Sequence, residues 1–236
     1  MKYTTIFIGN SESDLLNIFA SNPIDILSLS LDDPPEILTE FVKNYDGKFL
    51  AGFISYEYGV KQLGVPVYNL NDFPAAHFRV YDSFEKNKNL EKPKNIDWDQ
   101  FESTLIKSEY DSGFEKIQNH IRSGDFYQIN FTHSLKSKTK SSPKELFLKL
   151  RGKNQVGYSV FMEHNDWAIH SLSPEQFIKI ENGIITTKPV KGTFPRGKSQ
   201  EEDNYNLKSL LNSENTVHQF YTPFTFLVDL NYLNSY

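Results

Sequence analysis

Several features are missing from this sequence, and each absence excludes a class of protein. The 236-residue chain contains no cysteine, which excludes disulfide bonds, thiolate metal sites and a cysteine nucleophile. No stretch is apolar over the length of a membrane span, and the apolar part of residues 1–10 is too short for a signal peptide. We therefore expect a cytoplasmic protein with no membrane partner.

Positive charge is also scarce. The formal net charge is −5, so the chain has no basic stripe for nucleic acid, and we expect no nucleic-acid partner. Four of the 25 basic residues are arginines, and Arg196 is one of them. An arginine kept in a lysine-rich chain indicates either a need for its forked guanidinium or chance. The six histidines show no pairing at metal-ligand spacing, so no metal site is predicted from them.

Aromatic residues are abundant, and they favour a β-rich core. Phenylalanine (19) and tyrosine (13) dominate the aromatic content, and both favour strands. Strand and helix patterns alternate, but many of the predicted strands are antiparallel, so we predict the α+β class, a large β core flanked by helices. We divide the chain into an N-terminal lobe (1–84), an exposed linker or loop (85–95), a second domain (96–213) and a divergent tail (214–236).

Gly52 and Ser142 each predict a feature of the local structure. Residues 49–56 form a strand with Gly52 inside it, and a glycine in a strand often marks a close approach of another backbone. Ser142-Pro-Lys-Glu145 is a capping box with proline at the first helical position, so a helix begins there.

Two further elements are predicted from apolar spacing. Ser13 caps a helix over residues 13–19, with Ile18 and Phe19 on its buried side. Residues 126–135 form a strand, in which Tyr127 is a core residue.

The clearest turn signal is Glu181-Asn-Gly183, between two predicted strands. A two-residue turn would point Glu175 and Lys191 to opposite faces of the hairpin. A three-residue loop with a left-handed glycine would place both on one face, with Cβ atoms roughly 7–8 Å apart. We predict the three-residue loop; a bulge near Pro189 would give the same result.

A lysine and a glutamate at a strand end form a workable catalytic pair. A lysine amine is nucleophilic only when burial or a neighbouring cation lowers its pKa, and a carboxyl group with a raised pKa can act as general acid. On physical grounds alone, however, a solvated surface pair is the commoner explanation for Glu175 and Lys191, because perturbed groups point to function only probabilistically.

Three stretches resemble the family of chorismate-utilising enzymes, in the family's order and at its spacing. They are Gly124-Asp-Phe-Tyr-Gln-Ile-Asn130, Ser171-Leu-Ser-Pro-Glu-Gln-Phe177 and Thr187-Lys-Pro-Val-Lys-Gly-Thr-Phe-Pro-Arg-Gly197. The family contains the large subunits of anthranilate synthase and aminodeoxychorismate synthase, and the isochorismate and salicylate synthases. The resemblance implies the fold of anthranilate synthase component I, a mixed β-sandwich flanked by helices.

Within that family, two positions favour aminodeoxychorismate synthase component I, an enzyme of para-aminobenzoate and folate biosynthesis. The family's motif Pro-Ile-x-Gly-Thr, here Pro189-Val-Lys-Gly-Thr193, carries lysine at x in these enzymes, here Lys191, and alanine in typical anthranilate synthases, which remain the alternative. The resemblance implies that Lys191 attacks C2 of chorismate and that Glu175 is the general acid for the C4 hydroxyl. Gln128 stands where isochorismate and salicylate synthases carry a water-activating lysine, so ammonia, supplied by a glutamine amidotransferase subunit, is the expected nucleophile.

Gly192 and Thr193 follow the lysine, and two interpretations stay open. They could contact a substrate carboxylate through backbone N–H and hydroxyl groups, as small residues at a pocket edge do. They could equally turn the chain after the strand.

The resemblance ends near Ser213. The family continues with a helix whose glutamate helps to bind Mg²⁺, whereas here Pro223 interrupts the corresponding helix. We therefore expect a truncated chain that lacks the Mg²⁺ ligands and is inactive by itself. A catalytically dead fragment that acts at most as an interaction module is the remaining alternative.

Overall fold

The computed structural model describes residues 3–9, 17–67, 73–86, 89–92, 95–96, 98–154, 156–188 and 194–212. The chain forms two compact units, Met1–Ser173 and Pro174–Tyr236. In chain order, the described elements are β1 (Thr4–Ile8), β2 (Ile18–Ser21), β3 (Asp25–Leu29), α1 (Pro35–Asn44), β4 (Phe49–Ile54), α2 (Tyr56–Gln62), β5 (Ala76–Tyr81), β6 (Glu85–Lys86), β7 (Glu102–Ser103), α3 (Lys107–Ser123), β8 (Leu135–Lys136), α4 (Pro143–Lys153), β9 (Tyr158–Glu163), β10 (Ala168–Ser173), β11 (Gln176–Glu181), β12 (Ile184–Lys188) and α5 (Gln200–Leu211).

The first unit contains a five-stranded antiparallel sheet in the order β10-β9-β1-β2-β6. Ile6, Ile8 and Phe161 of this sheet are buried against α4. Their partners on the helix are Phe147 and Leu148. Because burying one large apolar side chain contributes about 1.5–3 kcal/mol, this cluster fixes α4 on one face of the sheet.

A second antiparallel sheet in the same unit has the order β3-β5-β4. One face packs on α1 and α2 through a buried cluster that includes Tyr58. Ala51 and Tyr81 lie on the other face. They share a buried cluster with Ala20 and Met162 of the five-stranded sheet. The two sheets therefore form a sandwich with helices on both outer faces, as the sequence predicts.

Arg79 of β5 is fully buried between the two sheets. Its Nε donates to Nε2 of His77 over 3.0 Å, and its Nη1 donates to Oγ1 of Thr5 over 3.3 Å. The rings of Tyr3 and Trp167 lie 5.1 and 5.9 Å from the guanidinium carbon. A buried cation needs such compensation, because removing its hydration is costly. Arg79 thus uses the fork geometry that a lysine would lack.

Two predicted elements are wrong. Ile18 and Phe19 lie in strand β2, where they pair with β1, instead of in a helix; residues 13–16 lie outside the described residues. Between residues 126 and 134 the chain is irregular, and Tyr127 is 86% exposed. A short apolar run fits both helix and strand, and pairing with a neighbouring strand decides between them.

The segment predicted as an exposed loop at 85–95 is more structured than expected. It begins with β6, which pairs with β2. Leu90 packs against the apolar cluster under α4, and Glu91 forms an ion pair of 2.7 Å with Lys144. The structure therefore ties this segment to the first unit, while the predicted domain limits stay predictions.

The predicted capping box at the start of α4 is present. Oγ of Ser142 accepts from the amide of Glu145, and the Glu145 carboxylate accepts from the amide of Ser142 over 3.1 Å. We expect Ser142→Ala to lower the free energy of unfolding by about 1 kcal/mol, because the amide of Glu145 loses the hydroxyl oxygen that accepts its hydrogen bond. Denaturant titration measures this loss. Ser141→Ala is the control, since the hydrogen bond of Ser141 to Thr139 comes from its backbone amide, which alanine keeps. An equal effect of both changes would contradict the prediction.

Candidate functional site

The hairpin of β11 and β12 closes with a two-residue turn. Glu181 pairs with Ile184, and Asn182 and Gly183 have positive φ angles of 51° and 74°. This is the geometry of a type I′ turn, which asparagine followed by glycine adopts readily. The predicted three-residue loop is therefore wrong, because asparagine tolerates the left-handed conformation that we assigned to the glycine alone.

A register shift in β11 gives the strand pairing that we predicted at the open end of the hairpin, although the turn differs from the predicted one. Lys179 pairs with Thr186, whereas Gln176 pairs with Lys188. Three steps along β11 thus match two steps along β12, so β11 carries one extra residue, as in a β-bulge. A three-residue loop without a bulge would likewise have paired Gln176 with Lys188. The bulge, rather than the turn, sets the register at the open end of the hairpin.

The predicted site residues fall on both described and undescribed parts of the chain. Glu175 directly precedes β11, and its side chain is exposed. Lys191, Gly192 and Thr193 lie outside the described residues, so the shared face of Glu175 and Lys191 stays a prediction. Gln128 is exposed in the irregular stretch after α3, in the first unit. The role of each residue stays a prediction.

Beyond the motif, the chain is described again from Phe194 and runs onto α5. Oγ of Ser199 accepts from the amide of Glu202 over 3.2 Å and caps the helix. Arg196 is 91% exposed and forms an ion pair with Asp203, whose side chain is 21% exposed. Nδ2 of Asn206 donates to the carbonyl of Pro195 over 3.0 Å. One helix thus holds the segment that follows the motif.

Our sequence reasoning missed Asp203 and Asn206. A usable signal was present, because Ser199-Gln-Glu-Glu202 matches the pattern that starts a helix. That pattern indicates a helix directly after the motif, with acidic side chains in its first turn. It does not indicate that one of them turns back to the motif segment, since this depends on the path of the chain before the helix.

A cavity of about 490 Å³ in the first unit lies beside the N-terminus of α4. His164, Trp167 and His170 line it, together with Glu163 and Asp166. The ring of His170 meets the rings of Phe147 and Phe161 edge-on. Burial lowers the pKa of His170, so this imidazole is neutral near neutral pH and can accept or donate a hydrogen bond.

Metal binding gains no support from the described side chains. Within the described ranges, no group of three or more His, Asp or Glu residues could hold a metal ion. Mg²⁺ prefers several oxygen ligands in octahedral geometry. The expectation that this chain lacks the Mg²⁺ ligands of the full-length family therefore stays a prediction. Separately, no helix in the described part of the chain combines the length and the apolar character of a membrane-spanning segment.

Comparison with known proteins gives matches of two kinds. Aminodeoxychorismate synthase component 1 of Salmonella typhimurium is 36% identical over 113 residues, which are 48% of this chain and 25% of that protein. Anthranilate synthase component 1 of Acetivibrio thermocellus is 31% identical over 128 residues, which are 54% of this chain and 25% of that protein. These matches span about a quarter of either relative.

The architecture also matches a solved structure. The crystal structure of anthranilate synthase component I from Streptococcus pneumoniae superimposes with a TM-score of 0.69 at 19% identity, covering 90% of this chain and 60% of that one. This match confirms the predicted fold. The family model described as chorismate binding enzyme matches residues 83–217, more than half of the chain. The chain therefore belongs to the chorismate-binding enzyme family.

Proposed function

We propose that this chain is an aminodeoxychorismate synthase component I, which replaces the C4 hydroxyl of chorismate by an amine. Lys191 in Lys188-Pro-Val-Lys-Gly-Thr193 carries the proposal, because the resemblance assigns a lysine at this position to such enzymes. The 36% identity with the Salmonella typhimurium protein, aminodeoxychorismate synthase component 1, supports the same choice.

The proposed reaction has two displacement steps. The neutral Nζ of Lys191 bonds to C2 of chorismate, the ring double bonds shift, and the C4 hydroxyl leaves as water with a proton from Glu175. Ammonia then bonds to C4, the double bonds shift back, and the C2–Nζ bond breaks. The Glu175 carboxylate takes up the proton that the added ammonia releases, which restores the starting state.

The remaining residues have supporting roles in the proposal. Gly192 and Thr193 contact a carboxylate of chorismate through N–H and hydroxyl groups. Gln128, which lacks a basic group, does not activate water, so ammonia is the incoming nucleophile. A glutamine amidotransferase subunit supplies that ammonia; the "component 1" in the names of both relatives supports a multi-subunit arrangement.

The test separates the lysine adduct from complete turnover. The chain by itself is expected not to complete the reaction, because it is expected to lack the Mg²⁺ ligands. At saturating chorismate without ammonia, we nevertheless expect an adduct of chorismate minus water on the peptide that contains Lys191, detected by mass spectrometry. Lys191→Arg should abolish the adduct. Lys188→Arg is the matched control on β12 and should retain it. Product formation by a wild-type chain that never carries the adduct would rule out the nucleophile.

Adding ammonium distinguishes the proposed activity from its alternatives. An amine at C4 of the product supports aminodeoxychorismate synthase. An ortho-amine would instead support anthranilate synthase, the activity named for the Acetivibrio thermocellus relative with 31% identity. Absence of both product and adduct would contradict the proposal and leave a chain that acts at most through interactions.

A further inference from the structure

The backbone after the proposed nucleophile is held by acidic side chains of α5. Oδ1 of Asp203 accepts from the amide of Gly197 over 2.5 Å, and its Oδ2 pairs with the guanidinium of Arg196. Oε2 of Glu202 accepts from the amide of Lys198 over 2.6 Å. Two consecutive amides are therefore bound by two consecutive carboxylates. Hydrogen bonds to an ionised acceptor are stronger than those between neutral groups.

The fit between this backbone and the helix leaves no space for a side chain at residue 197. A Cβ at Gly197 would lie 2.2 Å from the amide nitrogen of Asp203 and 2.7 Å from the carbonyl carbon of Glu202. Such distances are far shorter than van der Waals contact. Gly197 therefore lets the main chain lie directly against the first turn of α5.

Asp203 is the central member of this arrangement. Its side chain is 21% exposed, whereas that of Arg196 is 91% exposed. An ion pair with a solvated guanidinium contributes little by itself. The hydrogen bond from the Gly197 amide to the partly buried Asp203 carboxylate therefore contributes more to holding the backbone than the ion pair with Arg196 does.

Described residues that precede and follow Lys191 in the sequence are both held by other elements. On one side, Lys188 pairs with Gln176 in the hairpin. On the other, Asp203 binds Gly197. A reacting group held in place reacts faster than one that must be ordered first, so the contacts that hold these flanking residues bear on the proposed nucleophile.

We propose that Asp203 is a positioning residue that holds the backbone at Arg196 and Gly197 and thereby orients Lys191 for attack on the substrate. This inference rests on the proposed function. It adds a residue on α5 that does not touch the substrate but determines how often the nucleophile lies in a reactive position.

The first test measures the backbone itself and needs no turnover. In the full chain, Asp203→Ala should speed hydrogen exchange of the Gly197 amide about tenfold, because its acceptor is lost. Asp203→Asn keeps a carbonyl acceptor and should restore part of the protection. Glu201→Ala is the control, since Glu201 lies in the same helical turn and has an exposed side chain. Unchanged exchange in Asp203→Ala would overturn the proposal.

The second test measures the lysine. Asp203→Ala should change the rate of acetylation of Lys191 at least about threefold relative to that of Lys188 in the same molecule. If Asp203 orients Lys191, the change alters the surroundings of Lys191, whereas Lys188 stays in β12. In a chain that turns over, kcat should fall about tenfold while KM changes less than about twofold. Asp203→Asn should recover part of kcat.

The outcomes separate the two proposals. If the wild type forms neither adduct nor product, the proposed function fails, and exchange at Gly197 and acetylation of Lys191 still decide whether Asp203 orients the lysine. If Asp203→Ala speeds exchange but alters neither acetylation nor kcat, Asp203 is merely structural and the positioning role is wrong.

Discussion

Replacing Gly52 by alanine should lower the free energy of unfolding by about 3 kcal/mol. Gly52 of β4 lies opposite Phe78 of β5. A Cβ at this position would lie 2.3 Å from the carbonyl oxygen of His77 and 2.5 Å from ring atoms of Phe78. The phenyl ring can rotate away, but the carbonyl belongs to the central strand of the sheet. The strands must therefore separate, which weakens their hydrogen bonds and the packing on both faces.

Urea titration of Gly52→Ala measures this loss, and Gly59→Ala is the matched control. Gly59 lies in α2 on an exposed position, and apart from its own helix backbone no atom of the described residues would lie within 4 Å of a Cβ there. Alanine is a better helix former than glycine, so Gly59→Ala should be neutral or stabilise the chain by up to about 1 kcal/mol. Similar midpoints for Gly52→Ala and the wild type would show that the sheet accommodates the methyl group.

Acidification should destabilise the chain through His77. Burial, with the neighbouring Arg79 and His164 charges as smaller causes, lowers the pKa of His77 from 6.5 to about 4. The unfolded chain therefore binds a proton at His77 more readily than the folded chain. The contribution of neutral His77 to the free energy of unfolding is fully present above the pKa of His77 in the unfolded chain, and it is lost as the pH falls from about 6.5 towards 4. Between about pH 7 and pH 5 the loss amounts to about 2 kcal/mol.

The hydrogen bonds of His77 explain why its neutral form is favoured. Nε2 lies 3.0 Å from Nε of Arg79, which can only donate, so Nε2 must accept and remain without a proton. Nδ1 then carries the hydrogen and donates to Oγ of Ser28 over 2.8 Å. Protonation at Nε2 would place two donors against each other beside a buried guanidinium. The ring of His164 lies 6.1 Å away and adds a second titratable neighbour.

His77→Gln tests this assignment, because an amide oxygen can still accept from Arg79 but does not titrate. We expect the variant to lose about 2 kcal/mol less than the wild type over the same pH interval. His170, whose pKa burial also lowers, contributes equally to both proteins, so the difference between their pH profiles isolates His77. Parallel profiles would show that His77 does not couple folding to pH.

The sequence predicted features that depend on near neighbours in the chain. The capping box at Ser142 and Glu145 forms because all of its groups lie within one helical turn. Gly52 was expected to mark a close approach, and the carbonyl of His77 is the group that approaches. The antiparallel strands and flanking helices were predicted from apolar spacing and turn residues, which also involve residues close to one another in the chain.

The wrong predictions have two different physical causes. Ile18 and Phe19 suit a helix as well as a strand, and their pairing with β1 decides for the strand. The turn at Asn182 and Gly183 was misjudged by one residue, and the bulge in β11 compensated for the error at Gln176. The Asn-Gly pair by itself favours the two-residue turn, whereas the pairing of Ile18 and Phe19 and the bulge in β11 depend on the partner strand.

By itself, the sequence determined the class of this protein: an α+β member of the chorismate-binding enzymes. The tertiary structure alone decided the register of the hairpin, the burial of Arg79 against His77, and the attachment of Gly197 to Asp203. Motifs and caps arise from chemistry between residues close in the chain. Register, burial and close backbone contact arise from which distant segments meet, and a linear pattern does not specify that.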